Sequence, residues 1–170
     1  MAEAMRALRD ASNWRYSQAM RNTSLAGFPC PVARSLDVVG EWWTLLIVRD
    51  ALLGARRFDD FKSTGIADNI LSARLKKLVE DGIFERRLYR ERPPRHEYVL
   101  TEKGRALHLV VAALRSWGLE WTQGMDSSLR LEHRDCGQEV TITAYCEECD
   151  RPVTRDEFTP RRRATSAQPA

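Results

Sequence analysis

Apolar residues recur along this chain at two different spacings, and the change of spacing marks its architecture. Pro31 to Val39 reads as a helix, opened by a proline whose missing N–H costs nothing at the first helical position and stopped by Gly40. Trp42 to Leu53 follows, apolar on most sides through Leu45, Leu46, Ile47, Val48, Leu52 and Leu53, closed by Gly54 and expected at the centre of the core. A short third helix, Phe58 to Ser63, ends before Gly65. Within residues 66–82, Leu71, Leu75 and Leu78 fall at i, i+4 and i+7 and form a buried stripe. The opposite side carries Asn69, Ala73, Lys76 and Glu80, flanked by Ser72 and Lys77. After Gly82 the pattern changes to strands, Phe84 to Arg90 and His96 to Leu100, around the proline-stiffened tip Glu91-Arg92-Pro93-Pro94-Arg95. Thr101 caps a long helix through Leu107, Val110, Val111, Leu114, Trp117 and Trp121 to about Gln123, roughly 33 Å if unbroken.

Successive helices, then a basic hairpin and a further helix, are the order of a winged helix-turn-helix. The expected fold class is α+β: a mainly helical winged helix-turn-helix domain with a two-stranded wing, plus a small zinc-ribbon-like C-terminal tail. The expected division is an N-terminal extension without regular structure over 1–21 and a DNA-binding and dimerisation domain over 22–124. A zinc-ribbon-like module over 125–158 and a disordered tail over 159–170 follow.

Composition narrows the class. The chain has 170 residues, 30% of them charged, the balance of a globular protein. No apolar run approaches the roughly 18 residues of a membrane helix, and no secretory pattern opens the chain, so a cytoplasmic protein with reduced cysteines is expected. The formal charge of +3 is too small to identify a nucleic-acid binder by itself. Its location is more telling: five arginines (86, 87, 90, 92, 95) against two glutamates lie between Phe84 and Arg95, a local excess equal to that of the whole chain.

DNA recognition needs a charge contribution and a base-reading contribution, and both have candidates. In a helix-turn-helix the second helix presents its N-terminal residues to the major groove. Asn69, Ser72 and Lys76 can hydrogen-bond to base edges there, and Ala73 allows close approach. Arg90, Arg92 and Arg95 on the wing are placed for phosphates or the minor groove. Lys77 flanks the recognition face. Arg74, at the edge of the buried stripe, either clamps a phosphate or pairs with a nearby acid. Taken alone, each basic group is ordinary solvated surface; both elements together, in winged-helix order, favour DNA.

Val110, Leu114, Trp117 and Trp121 form an apolar stripe on the last helix. That helix is longer than its own domain needs, so a homodimer interface is expected there. Cys30 precedes Pro31 at a helix N-terminus, where a thiolate is favoured; the alternative is a small buried cap. His133-x2-Cys136 and Cys146-x2-Cys149 flank the strand-like stretch Val140 to Tyr145, the spacing of a four-ligand structural zinc site with one ion per chain. A redox-active Cys146/Cys149 pair is the competing reading. Four protein ligands would leave no open position for a substrate water, and the chain carries neither a glycine-rich phosphate loop nor a nucleophile elbow, so no enzyme is expected. A winged-helix module that binds proteins instead of DNA stays open.

The sequence resembles the HxlR-type family of winged-helix transcription regulators, relatives of the MarR regulators, over about Cys30 to Trp121. The stretches that carry it are Cys30-Pro31-Val32, Val39 to Ile47, Arg57-Phe58-Asp59-Asp60-Phe61, Asn69 to Leu75, and Glu97 to Gly104. The resemblance implies a dimer on double-stranded operator DNA, usually a repressor, and a thiol at the Cys30 position that in some members senses oxidants or electrophiles. It suggests a start near Met20 and, in extended members, a similar cysteine-bearing tail. A small-molecule or redox effector is compatible with it, of unidentified chemistry.

Overall fold

The computed structural model describes residues 24–122 and 130–159. The expected extension over 1–21, the end of the long helix at Gln123, Leu129 of the tail and nearly all of 159–170 lie outside the described residues. The chain divides into two units, 1–108 and 109–170.

In the first unit, α1 (Pro31–Val39) has Pro31 in its first turn and Gly40 at its C-cap. A Cβ on Gly40 would stand 2.4 Å from the Leu36 carbonyl oxygen, so the chain can turn this tightly only on glycine. The arm before α1 is held by Asp37, which accepts from the Leu25 N–H at 2.6 Å and the Ser24 hydroxyl at 3.1 Å. Helix α2 (Trp42–Leu52) buries Thr44, Ile47, Val48 and Asp50. It is less central than its composition suggested, because Trp42 is 88% exposed and Leu52 and Leu53 also face outward. It ends at Leu52, with Leu53 as its cap. A 3-10 helix, Phe58–Thr64, buries Phe61 and turns through Gly65 at φ 75° into α3 (Asp68–Glu80).

The leucine stripe on α3 is buried as the spacing requires: Leu71, Leu75 and Leu78 are at most 1% exposed. They share the core with Ile47, Val48, Phe61, Ile83 and Phe84, and the Phe84 ring meets Phe61 and Tyr98 edge-on at 6.2 and 6.4 Å.

The wing is the antiparallel pair β1 (Phe84–Arg90) and β2 (Arg95–Leu100), in register from Phe84 opposite Leu100 to Leu88 opposite His96, with an irregularity before Arg90 meets Arg95. β2 begins one residue earlier than the pattern indicated. Arg57 forms an isolated antiparallel bridge with Glu97, and the Tyr98 N–H donates to the Arg56 carbonyl at 2.7 Å, so the residues before the 3-10 helix lie against β2.

Thr101 caps α4 (Glu102–Ala106) by accepting from the Gly104 N–H at 3.1 Å. Gly104 is buried so closely that a Cβ would lie 2.2 Å from the Ile83 carbonyl oxygen. The expected unbroken helix is divided here: it stops after Ala106 and resumes as α5 (His108–Trp121). The His108 Nδ1 lies 2.9 Å from the Arg105 carbonyl, the acceptor that the Leu109 N–H would use in a continuous helix. With 14 residues, α5 is about 21 Å long, shorter than the sequence indicated.

Beyond α5 the second unit holds a small hairpin, β3 (Ala144–Cys146) with β4 (Arg151–Val153), and a 3-10 turn Arg155–Glu157. The strand-like stretch from Val140 forms a strand only from Ala144 onward, since residues 140–143 lack a ladder partner. Among the described residues no helix is long and apolar enough to cross a membrane.

Candidate nucleic-acid interface

The polar face of α3 is built by its leucine stripe. Fixing three leucines in the core turns Asn69, Ser72, Ala73, Lys76 and Lys77 to solvent, and all five are exposed. Among the described residues the Asn69 and Ser72 side chains form no hydrogen bond. Lys76 is 3.9 Å from Glu80, too long for a direct hydrogen bond. Lys77 is differently placed: its ammonium donates to Asp81 at 2.5 Å, and that carboxylate raises its pKa. Arg74 is half-buried and pairs with Glu41 at 2.9 Å, so its guanidinium ties α3 to the start of α2. The group with donors unengaged is therefore Asn69, Ser72 and Lys76, around Ala73.

On the wing, Arg90, Arg92 and Arg95 are all exposed. The Arg90 Nε donates to the Arg92 carbonyl at 3.1 Å and so helps to close the tip. Arg87 is engaged with Glu85 at 2.8 Å, which lowers the Glu85 pKa and raises that of Arg87.

The structure also gathers a group that the sequence reading did not single out. Arg57, Arg86, Tyr89, Arg95, His96 and Tyr98 line an open cleft of about 470 Å³ between the 3-10 helix and the wing. Strand alternation carried part of the signal, because Arg86 opposite Tyr98 and Leu88 opposite His96 share the face of Phe84. Arg57 could not be placed this way, since its bridge to Glu97 is a long-range pairing. Its guanidinium lies over the Tyr89 ring, 4.8 Å from the centroid. Arg86 donates to the His96 Nδ1 at 3.0 Å, which requires the proton of a neutral imidazole to sit on Nε2. The neighbouring acids are engaged elsewhere. Asp60 accepts from the Arg56 and Arg57 backbone N–H groups at 3.0 and 2.8 Å, which lowers its pKa, and Asp59 pairs with Lys62 at 3.1 Å.

In the second unit, Val110, Leu114, Trp117 and Trp121 of α5 are all exposed. Trp121 also has a partner in its own chain: the Arg155 guanidinium lies over its ring at 5.4 Å and pairs with Glu120 at 2.9 Å. Arg115 reaches Glu139 at 3.4 Å.

Cys30 caps α1, and its thiol is exposed among the described residues. The four proposed zinc ligands form two pairs. His133 Nδ1 is 3.2 Å from the Cys136 sulfur, and the Cys149 and Glu148 N–H groups with the Cys149 thiol donate to Cys146, lowering its pKa. The pairs occupy similar turns, each followed by a residue in the left-handed region, Gly137 at φ 67° and Asp150 at φ 51°. They are not brought into one cluster: no group of three or more histidine, cysteine or acidic side chains converges among the described residues.

Comparison with known proteins gives one family. A profile for HxlR-like helix-turn-helix proteins matches residues 38–126. The HTH-type transcriptional regulator Rv3095 of Mycobacterium tuberculosis is 41% identical over 131 residues, covering 76% of this chain and 83% of its own. A crystal structure of PA1607, a candidate transcription factor, is similar at a TM-score of 0.71 and 41% identity, covering 83% of this chain and 100% of that one. The redox regulator HypR in its reduced form is similar at a TM-score of 0.50 and 35% identity, covering 54% of this chain and 92% of that one.

Proposed function

This chain belongs to the HxlR-like helix-turn-helix family of transcription regulators, and from that premise we propose that it is a homodimeric repressor of a pseudo-palindromic operator. The observation that carries the reading is the exposed face of α3. Asn69, Ser72 and Lys76 have donors available around the small Ala73, on a helix anchored by three buried leucines and followed by a basic wing. Asparagine suits adenine and lysine suits guanine in the major groove, while Arg90, Arg92 and Arg95 supply phosphate contacts. Arg74 and Lys77, held by Glu41 and Asp81, serve as supports of α3.

Selection of bound duplexes from a random pool tests this directly. A two-fold consensus bound with a steep salt dependence is expected; enrichment of no sequence would favour a protein-binding winged helix. For the dimer, Val110, Leu114 and Trp117 on α5 supply exposed apolar area. Replacing Trp117 and Trp121 together by polar residues should shift sedimentation toward monomer and abolish tight operator binding.

The tail is assigned one structural zinc ion held by His133, Cys136, Cys146 and Cys149. The similarity of the two turns supports this, because each offers two ligands to a tetrahedral ion that would draw them together. A second reading, redox response through Cys30 or the Cys146/Cys149 pair, is favoured by the exposure of Cys30 and the likeness to HypR. Loss of operator binding on oxidation that Cys30→Ser prevents would support it.

A further inference from the structure

We propose that the cleft between the 3-10 helix and the base of the wing is a phosphodiester clamp, in which Arg57, Arg86 and Arg95 grip one stretch of the operator backbone. The inference rests on the regulator reading and adds to it Arg57 and Arg86, which belong to neither the recognition face nor the wing tip and stand beside Arg95 of the tip.

Three observations carry it. First, three guanidinium groups face one open cavity of about 470 Å³, and none of them forms an ion pair among the described residues. Second, two of them are positioned by an aromatic ring. Arg57 lies on the Tyr89 ring, and Arg86 donates through one Nη to the neutral His96 ring, leaving its other N–H groups available. Third, the two acids at the rim are already satisfied, Asp60 by two backbone N–H groups and Asp59 by Lys62. The lining thus sets three guanidinium groups against two carboxylates, of which Asp59 is paired with Lys62 and Asp60 stays ionised beside Arg57, so the cleft keeps a modest net positive charge.

Guanidinium donors in a fixed fork match phosphate oxygens in pairs. The Tyr89 and Tyr98 hydroxyls and the His96 Nε2–H add donors of the kind that contact DNA backbones. The shape argues for a polymer backbone over a small ligand. Small-molecule sites bury most of their ligand between apolar walls, whereas this cleft is lined by exposed or half-buried polar residues and stays open to solvent.

The test compares the full-length wild type with three variants on a pool-selected duplex and a random one across a salt series. Arg57→Ala combined with Arg86→Ala is expected to weaken both duplexes by the same factor, about ten-fold at fixed salt, and to reduce the slope of log K against log salt by about 1 to 2. Arg86→Lys should keep the slope. Arg87→Ala, which removes a charge from the opposite face of β1 where Glu85 engages it, should leave the slope unchanged. If the wild type shows no salt-dependent binding to any duplex, the regulator reading itself fails. If the wild type binds and the double variant keeps its affinity and slope, only the clamp fails. An equal effect of Arg87→Ala would reduce the result to bulk charge and overturn it. Benzoate, a small aryl carboxylate, provides the other arm: perturbation of the His96 ring resonances by micromolar benzoate but not by duplex would overturn the clamp in favour of a small-anion site.

Discussion

The winged-helix core and the C-terminal tail are held together by different physics. Around α3 the chain removes Phe61, Leu71, Leu75, Leu78, Ile83 and Phe84 almost completely from water. In residues 130–159 no residue is buried, and Val140, Ile142, Tyr145 and Phe158 all remain exposed. What orders the tail is polar: the two similar turns, the Tyr145 hydroxyl on Asp150, and Glu157, which accepts from Arg151 at 2.6 Å and from the Thr154 N–H at 2.7 Å. Hydrophobic burial is non-directional and tolerant, whereas an assembly of exposed hydrogen bonds gives little net stability in water. A unit of that kind needs a further tie, which is the physical case for the metal.

The largest effect should therefore come from removing the ion. Zinc in a small structural site supplies on the order of 10 kcal/mol of apparent binding free energy. Metal analysis is expected to find about one zinc per chain, and Cys146→Ser should release it and make the tail protease-sensitive, while the melting transition of the winged helix is retained. Never-chelated protein that carries no metal and has a Cys146–Cys149 disulfide would replace the zinc reading with the redox pair. Loss of both units together would erase the distinction between them.

Leu75→Ala tests the other side. Truncating a fully buried leucine costs about 2–5 kcal/mol, so the core transition should fall by many degrees. Thermal denaturation with and without chelator checks whether the tail's protease resistance survives conditions in which the core is weakened but still folded.

The same contrast accounts for what could be read from the sequence. Burial imposes a period, so the leucines of α3 were visible as spacing, and the Thr101 cap was visible as a threonine before an acid at a helix start. Features set by a local competition were not. The helix break at Leu107 coincides with the His108 ring meeting the Arg105 carbonyl, and the cleft rests on a pairing between Arg57 and Glu97 across 40 positions. The roles of Arg74 and Lys77 turned on whether Glu41 and Asp81 came within reach, which composition cannot state. In the tail the extent of the strand was not legible, because nothing there is buried to give it a period.

A smaller effect separates structure from recognition within the first unit. Asn69→Ala removes an exposed side chain without an internal hydrogen bond, so stability should change little. Discrimination between the selected and random duplexes should fall by about 1–3 kcal/mol, measured as the ratio of their dissociation constants. Equal weakening on both duplexes would move the base-reading face away from Asn69.

The smallest predicted effect concerns pH and returns to the polar tail. The Arg151 guanidinium, followed by the Thr154 N–H and hydroxyl, holds the Glu157 carboxyl well below its ordinary value of 4.5, at about 2. A carboxylate depressed in the folded state contributes order that is complete above 4.5 and is lost as pH falls toward 2. Because Glu157 lies at the surface, the contribution is local, confined to the turn Arg155–Glu157 and its tie to β4. Carboxyl carbon resonances followed from pH 5 to 3 should show Glu157 still ionised at pH 3.5, and Arg151→Ala should move its midpoint upward. A Glu157 midpoint near 4.5 in the wild type would mean that this network does not hold in solution, so that the proposed zinc would have to order the tail without it.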